Sequence, residues 1–296
     1  MSTLFEGVFT ALITPFRNHQ VDQEALKHLV EFQIANGVNG LVPCGTTGES
    51  ATLSHEEHKE VIRLCVMAAA GRVKIIAGSG SNSTQETIEL TRFAQQVGAD
   101  GALLITPYYN KPGQEGLYQH YRAVAEQVKI PLVLYNVPGR TGVDLLPATV
   151  ARLANTETIV GLKEATANME RASSIRKLCG DAITLLSGDD ATFLPFLAVG
   201  GKGVISVSSN VAPAQMVALH QAWQKGDAAQ ARQIHDQLLD LNQQLFCETN
   251  PIPVKAAAHM LGLCAPEIRL PLTWLSEPNQ AMLRITLNRL GLLAST

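Results

Sequence analysis

The chain has 296 residues, 46% of them apolar and 17% charged, with a formal net charge of −3. That length exceeds a small domain and suits one large α/β domain of ~250 residues plus an appendage, with a core big enough to need no staples. No run of Lys and Arg forms a basic stripe, which argues against a nucleic-acid partner, and no stretch of ~20 apolar residues is present to span a membrane.

Five scattered cysteines (Cys44, Cys65, Cys179, Cys247 and Cys264) are odd in number and contain no C-x-x-C, so they read as reduced cytosolic thiols. Cys44 adjoins a candidate site loop, which leaves a reactive thiol as a second reading. The segment Met1 to Gly7 lacks a basic start, and Glu6 and Pro15 interrupt its apolar stretch. No secretory signal is expected, and the expected location is cytoplasmic.

In chain order, short apolar runs alternate with amphipathic segments. Strands are predicted at Val8–Ile13, Gly40–Pro43, Val73–Ala77, Gly101–Ile105, Leu132–Tyr135, Ile159–Lys163, Ile183–Leu186 and Gly203–Val207. Helical patterns lie between them, as at Asp22–Asn36, His55–Ala70, Thr84–Val97 and Gln114–Gln127, and several stop at a glycine such as Gly37, Gly71 or Gly98. Continuous rather than alternating apolar strands indicate a parallel sheet covered on both faces. Eight such units in about 220 residues predict a closed (β/α)8 TIM barrel. An open doubly wound sheet is the alternative. Its phosphate turn is poorly matched by Gly78-Ser-Gly80-Ser, which lacks the third glycine and an acidic partner. From Pro213 onward only helices are predicted, with breaks near Gly226, Pro251, Pro271 and Pro278. Residues 1–225 therefore read as the barrel and 226–296 as a helical extension packed on it.

Chemistry in such a barrel sits at the C-terminal strand ends. Lys163 closes the apolar run Ile159-Val160-Gly161-Leu162 and should point into the barrel mouth. Burial there disfavours an ammonium, and a neutral amine attacks a ketone to form an imine. A rim ion pair between Lys163 and Glu164 is the equal alternative. Tyr135 ends the neighbouring strand, where a phenol shuttles protons or is simply a satisfied buried aromatic. Thr46 and Thr47, flanked by Gly45 and Gly48, offer hydroxyls and backbone N–H groups to a carboxylate, or form an ordinary tight loop. Arg140 follows Pro138-Gly139, where a fork of donors suits a second carboxylate, or it is a solvated surface residue. Together these groups suit carbon–carbon bond chemistry on a keto acid, with no metal, cofactor or phosphate-binding loop required.

The motifs are specific: Gly45-Thr-Thr-Gly-Glu49, Thr106-Pro-Tyr-Tyr-Asn-Lys-Pro112, Tyr135-Asn-Val-Pro-Gly-Arg-Thr-Gly142, Gly161-Leu-Lys-Glu164, Ser187-Gly-Asp-Asp190, Gly203-Val-Ile-Ser-Val207 and Asn250-Pro-Ile-Pro-Val-Lys255. From Gly7 to Leu293 the chain resembles the dihydrodipicolinate synthases, within the pyruvate-dependent class I aldolase superfamily that includes N-acetylneuraminate lyase. The resemblance implies a lyase of lysine and diaminopimelate biosynthesis. It would condense pyruvate with L-aspartate 4-semialdehyde through a Schiff base on Lys163, giving 4-hydroxy-tetrahydrodipicolinate. It implies a proton relay of Thr46, Tyr135 and Tyr109, the last reaching into a neighbouring subunit. Thr46 and Thr47 would hold the pyruvate carboxylate and Arg140 that of the aldehyde, with Ile205 beside the imine and Gly188 lining the pocket. It also implies a homotetramer built from two tight dimers. Thr46-Thr47 and Arg140 favour the synthase over a lyase of larger 2-keto acids, which typically differs at the arginine. A retired barrel acting as a sensor is the non-enzymatic alternative, and the intact Lys163 and tyrosines argue against it.

Ser54-x-x-Glu57 is a capping box that opens a helix at His55. His55 and His58, three apart, do not form H-E-x-x-H and read on their own as solvated first-turn residues. The resemblance adds an allosteric L-lysine site between two subunits, matched here by Ser50, Ala51, His55, His58, Asn82, Glu86 and Tyr108, and so implies feedback inhibition.

Overall fold

A computed structural model describes residues 4–293. Met1–Thr3, in the N-terminal reading, and Ala294–Thr296, in the 226–296 extension, lie outside the described residues. The apolar runs form eight parallel strands: β1 (Gly7–Ala11), β2 (Gly40–Val42), β3 (Lys74–Gly78), β4 (Gly101–Ile105), β5 (Leu132–Asn136), β6 (Ile159–Glu164), β7 (Thr184–Ser187) and β8 (Gly203–Ser206). They close into one barrel in sequence order, with β8 beside β1. The open-sheet alternative is therefore excluded. Strand bounds differ from the sequence reading by a residue or two at the ends, where the ladder frays. β1, for example, stops at Ala11 rather than Ile13.

Helices Gln23–Ala35, His55–Ala69, Thr84–Gln96 and Gln114–Gln127 match the amphipathic segments. Asp22 caps the first by accepting from Ala25 N, and the Ser54–Glu57 capping box is complete. Helices Pro213–Gln224, Ala228–Gln244, Ile252–Met260 and Glu277–Arg289 follow β8. A hairpin pairing Phe16–Arg17 with Gln20–Val21 escaped the sequence reading. Two-residue strands carry no periodicity. Only the left-handed turn residues Asn18 and His19 (φ 53° and 63°) mark it. Among the described residues no helix is long and apolar enough to cross a membrane.

Two compact units divide the chain. The first holds Lys74–Ile205 and the segment ending at Gly7; the second holds Val8–Val73 and the residues from Ser206 on. In the first, alternate strand residues Leu104, Leu132, Leu134 and Leu162 pack against Leu117, Tyr121, Val150 and Ile175 of the covering helices. That fixes which strand face is turned outward. In the second, β1 pairs with β2, and a buried polar chain links Thr10, Gln33 and Ser209.

On the buried face of helix Gln114–Gln127, His120 bonds Thr84 Oγ1 through Nδ1 at 2.9 Å, while its Nε2 lacks a partner among the described residues. Burial pushes its pKa down to about 4. A depressed histidine is neutral in the folded protein where the unfolded chain already binds a proton. Stability is therefore lost as the pH falls from about 6.5 through 4, by on the order of 3 kcal/mol. His120→Gln should flatten that acid limb in thermal melts recorded across pH.

Candidate active site

Side chains alternate along a strand. With Leu162 in the outer core, Lys163 faces the barrel interior and Glu164 faces the helices. Lys163 is 6% exposed and stands in register with Tyr135 on β5. Its Nζ lies 4.2 Å from the centroid of the Tyr135 ring. The rim ion pair does not form. Glu164 is taken by Arg171, whose Nε donates to its Oε2 at 2.7 Å. Among the described residues Lys163 makes no ion pair.

Gly188 follows β7, and its N–H donates to Glu164 O at 2.8 Å. A Cβ here would lie 2.6 Å from Ala165 Cβ and 3.0 Å from Lys163 Cε, so only glycine lets the chain pass beside the lysine arm. Ile205 is buried on β8. Arg140 is exposed on a single helical turn, Pro138–Thr141, directly after β5. The loop after β4 is tied down by Thr106 N donating to Tyr135 O, by Asn82 Nδ2 donating to Tyr108 O and by Asn110 Nδ2 donating to Asn82 O. It carries Tyr108, 38% exposed, and Tyr109, 89% exposed on left-handed backbone at φ 70°. Glu86 is half-buried and accepts from Ser81 Oγ.

In the second unit, Gly45–Ser50 forms a turn after β2. Gly48 N donates to Gly45 O and Glu49 N to Thr46 O, both at 3.1 Å. Gly48 is required because a Cβ would meet Cys44 N at 3.0 Å. Thr46 is half-buried. Thr47 is buried, and its hydroxyl accepts from Asn250 Nδ2 at 3.0 Å, which directs the Thr47 hydrogen to another acceptor. Glu49, left-handed at φ 54°, forms a buried ion pair with Lys255 at 2.5 Å and accepts from Arg269 N at 3.0 Å. Arg269 also forks onto Glu57 and holds that carboxyl below its usual range. Ser50 and Ala51 begin a 3-10 turn, and His55 is exposed at the helix start. His58 is buried, contrary to the solvated reading, because its turn faces Cys44, whose Sγ approaches His58 O. Burial pushes the Cys44 thiol well up, which suppresses the thiolate and removes the reactive-thiol reading.

Sequence reasoning gave no role to Asn136, Arg171, Glu49, Lys255 or Arg269. The available signals were polar residues directly after Tyr135 and Lys163, and a lysine inside the apolar run Ile252–Ala258.

The model of the "Dihydrodipicolinate synthetase family" matches residues 4–290. The chain belongs to the dihydrodipicolinate synthetase family. A relative from Magnetococcus marinus, named 4-hydroxy-tetrahydrodipicolinate synthase, is 62% identical over 98% of this chain and 99% of its own. Two solved dihydrodipicolinate synthases superpose with TM-score 0.96. One, from Acinetobacter baumannii, is described as chloride-inhibited and complexed with pyruvate; it is 46% identical and covers 98% of this chain and 100% of its own. The other, from Cyanidioschyzon merolae with lysine bound, is 41% identical and covers 99% and 100%.

In this member of the dihydrodipicolinate synthetase family, the Glu49–Lys255 pair sits directly under the Thr46–Thr47 turn. Lys255→Met strands the Glu49 carboxylate in the interior and should cost about 3–5 kcal/mol in chemical denaturation. Adding Glu49→Gln should recover part of that loss.

Proposed function

We propose that the enzyme condenses pyruvate with L-aspartate 4-semialdehyde to 4-hydroxy-tetrahydrodipicolinate through a Schiff base on Lys163. The observation that carries this reading is the buried amine of Lys163, which lies over Tyr135 and makes no ion pair among the described residues. Family membership and the pyruvate complex of the A. baumannii relative support it.

The Lys163 amine attacks C2 of pyruvate, and water leaves to give the imine. Loss of a C3 proton gives the enamine, whose C3 forms the new bond to the aldehyde carbon. The amino group of the second substrate then attacks the imine carbon. This closes the ring and expels the Lys163 amine. Tyr135 and Thr46, with Tyr109 supplied by a neighbouring subunit, relay the protons. Thr46 and Thr47 hold the pyruvate carboxylate, in keeping with the Thr47 hydrogen being directed away from Asn250. Arg140 receives the carboxylate of the aldehyde, Gly188 makes room for the lysine arm, and Ile205 lies beside the imine.

We further read the working protein as a cytoplasmic homotetramer, a dimer of dimers, with residues 1–225 as the catalytic barrel and 226–296 as its helical extension. An aromatic as exposed as Tyr109 on a left-handed backbone is consistent with a ring that docks on another subunit. L-Lysine acts as allosteric inhibitor through Ser50, Ala51, His55, His58, Asn82, Glu86 and Tyr108. The lysine-bound relative supports this assignment, and a coupling of about 1–3 kcal/mol is typical of such control.

Borohydride in the presence of pyruvate should add a permanent mass to the peptide holding Lys163. Absence of the adduct would remove the mechanism. Isothermal titration should detect L-lysine binding at millimolar concentration or below, and Glu86→Ala should abolish it while leaving pyruvate trapping intact.

A further inference from the structure

Asn136 and Glu164 are the chain neighbours of Tyr135 and Lys163, and they too stand in register with each other. They occupy the opposite strand face, toward the helices. Both the nitrogen and the oxygen of the Asn136 amide are engaged within one cluster. Its Nδ2 donates to Asp144 Oδ1 at 2.9 Å and Glu164 Oε2 at 3.2 Å, and its Oδ1 accepts from Leu145 N at 2.9 Å. Glu164, with a side chain 1% exposed, accepts further from Thr166 N at 2.9 Å and Arg171 Nε at 2.7 Å. Arg171 continues to Asp144 Oδ2 at 3.1 Å and to Leu145 O. One guanidinium therefore binds the end of β6, the far end of the 137–145 loop and its own helix, Met169–Cys179.

A buried ion pair adds little stability over apolar residues of the same volume, but it fixes geometry through directional bonds. This one lies at the C-terminal strand ends, just before the chain passes into the loops after β5 and β6. We propose that Asn136, Glu164 and Arg171 are positioning residues for the imine chemistry, clamping β5 and β6 from outside so that the Lys163 amine and Tyr135 ring keep their approach. Through Asp144 and Leu145 the same clamp holds the loop that presents Arg140. The inference rests on Lys163 being the imine-forming residue. None of the three clamping residues touches substrate.

The test uses the full-length enzyme, with pyruvate and borohydride as probe and steady-state kinetics beside it. Glu164→Gln keeps the size of the side chain and removes its charge. It should slow imine trapping about tenfold to a hundredfold, the range expected when reacting groups are misplaced by a fraction of an ångström to an ångström. It should also raise KM for the aldehyde, while the adduct still forms on Lys163. Arg171→Lys keeps a cation beside Glu164 but cannot span Asp144 and Leu145, and should give the same slow trapping; it is the reporter if Glu164→Gln does not fold. Val124→Ala, in the same outer core on helix Gln114–Gln127 and given no part in holding Lys163, should lower the melting temperature without slowing trapping. Cluster variants that trap pyruvate at the wild-type rate with unchanged KM, even if less stable, make the cluster merely structural and overturn the proposal. A wild-type enzyme that traps no pyruvate overturns the Schiff-base reading itself, and the inference with it.

Discussion

The in-register pairing of Tyr135 with Lys163 is the constraint on which the site depends. Two adjacent parallel strands end together, and side chains alternate across them. A shift of one residue would exchange the inward pair for the outward pair and put Asn136 and Glu164 into the barrel. The outer core prevents that slip. Leu132, Leu134 and Leu162 pack under Leu117, Tyr121 and Val150, and each has a fixed place among the helices. Core packing between strand and helix thus determines that the amine and the phenol face the interior.

Each compact unit places a buried ion pair next to residues proposed for the active site. In the first, Glu164 and Arg171 brace the ends of β5 and β6. In the second, Glu49 and Lys255 brace the Thr46–Thr47 turn, and Asn250 orients a hydroxyl on it. Such pairs are poor sources of net stability, because desolvation offsets most of the attraction. Their directional bonds suit them to fixing where a strand or turn hands over to the chain beyond it.

Left-handed non-glycine backbone marks the loops after β2 and β4. Cys44 and Glu49 flank the turn after β2, and Tyr109 and Lys111 lie in the loop after β4, all four with positive φ. Non-glycine residues in this region cost on the order of 1–3 kcal/mol each and persist only where surrounding contacts fix them. For Glu49 those contacts are Lys255 and Arg269 N. For the β4 loop they are the Asn82 amide on Tyr108 O and the Asn110 amide on Asn82 O.

Much was legible in the sequence. Continuous apolar strands of even spacing could be satisfied only by a parallel sheet covered on both faces, and eight of them by a closed barrel. The capping box at Ser54 marked where a helix begins, since its side chain satisfies a backbone N–H group that the helix cannot. The position of Lys163 at the end of an apolar run marked it as unusual. The sequence could not separate catalysis from a rim ion pair, because that depended on which face Glu164 took and on Arg171, seven residues away. Nor could it show the partners of Glu49, which lie more than two hundred positions downstream, or the burial of His58. Local periodicity fixes secondary structure and facing. The pairing of buried charges and the direction of a hydroxyl depend on groups brought together only when the barrel and its helices fold.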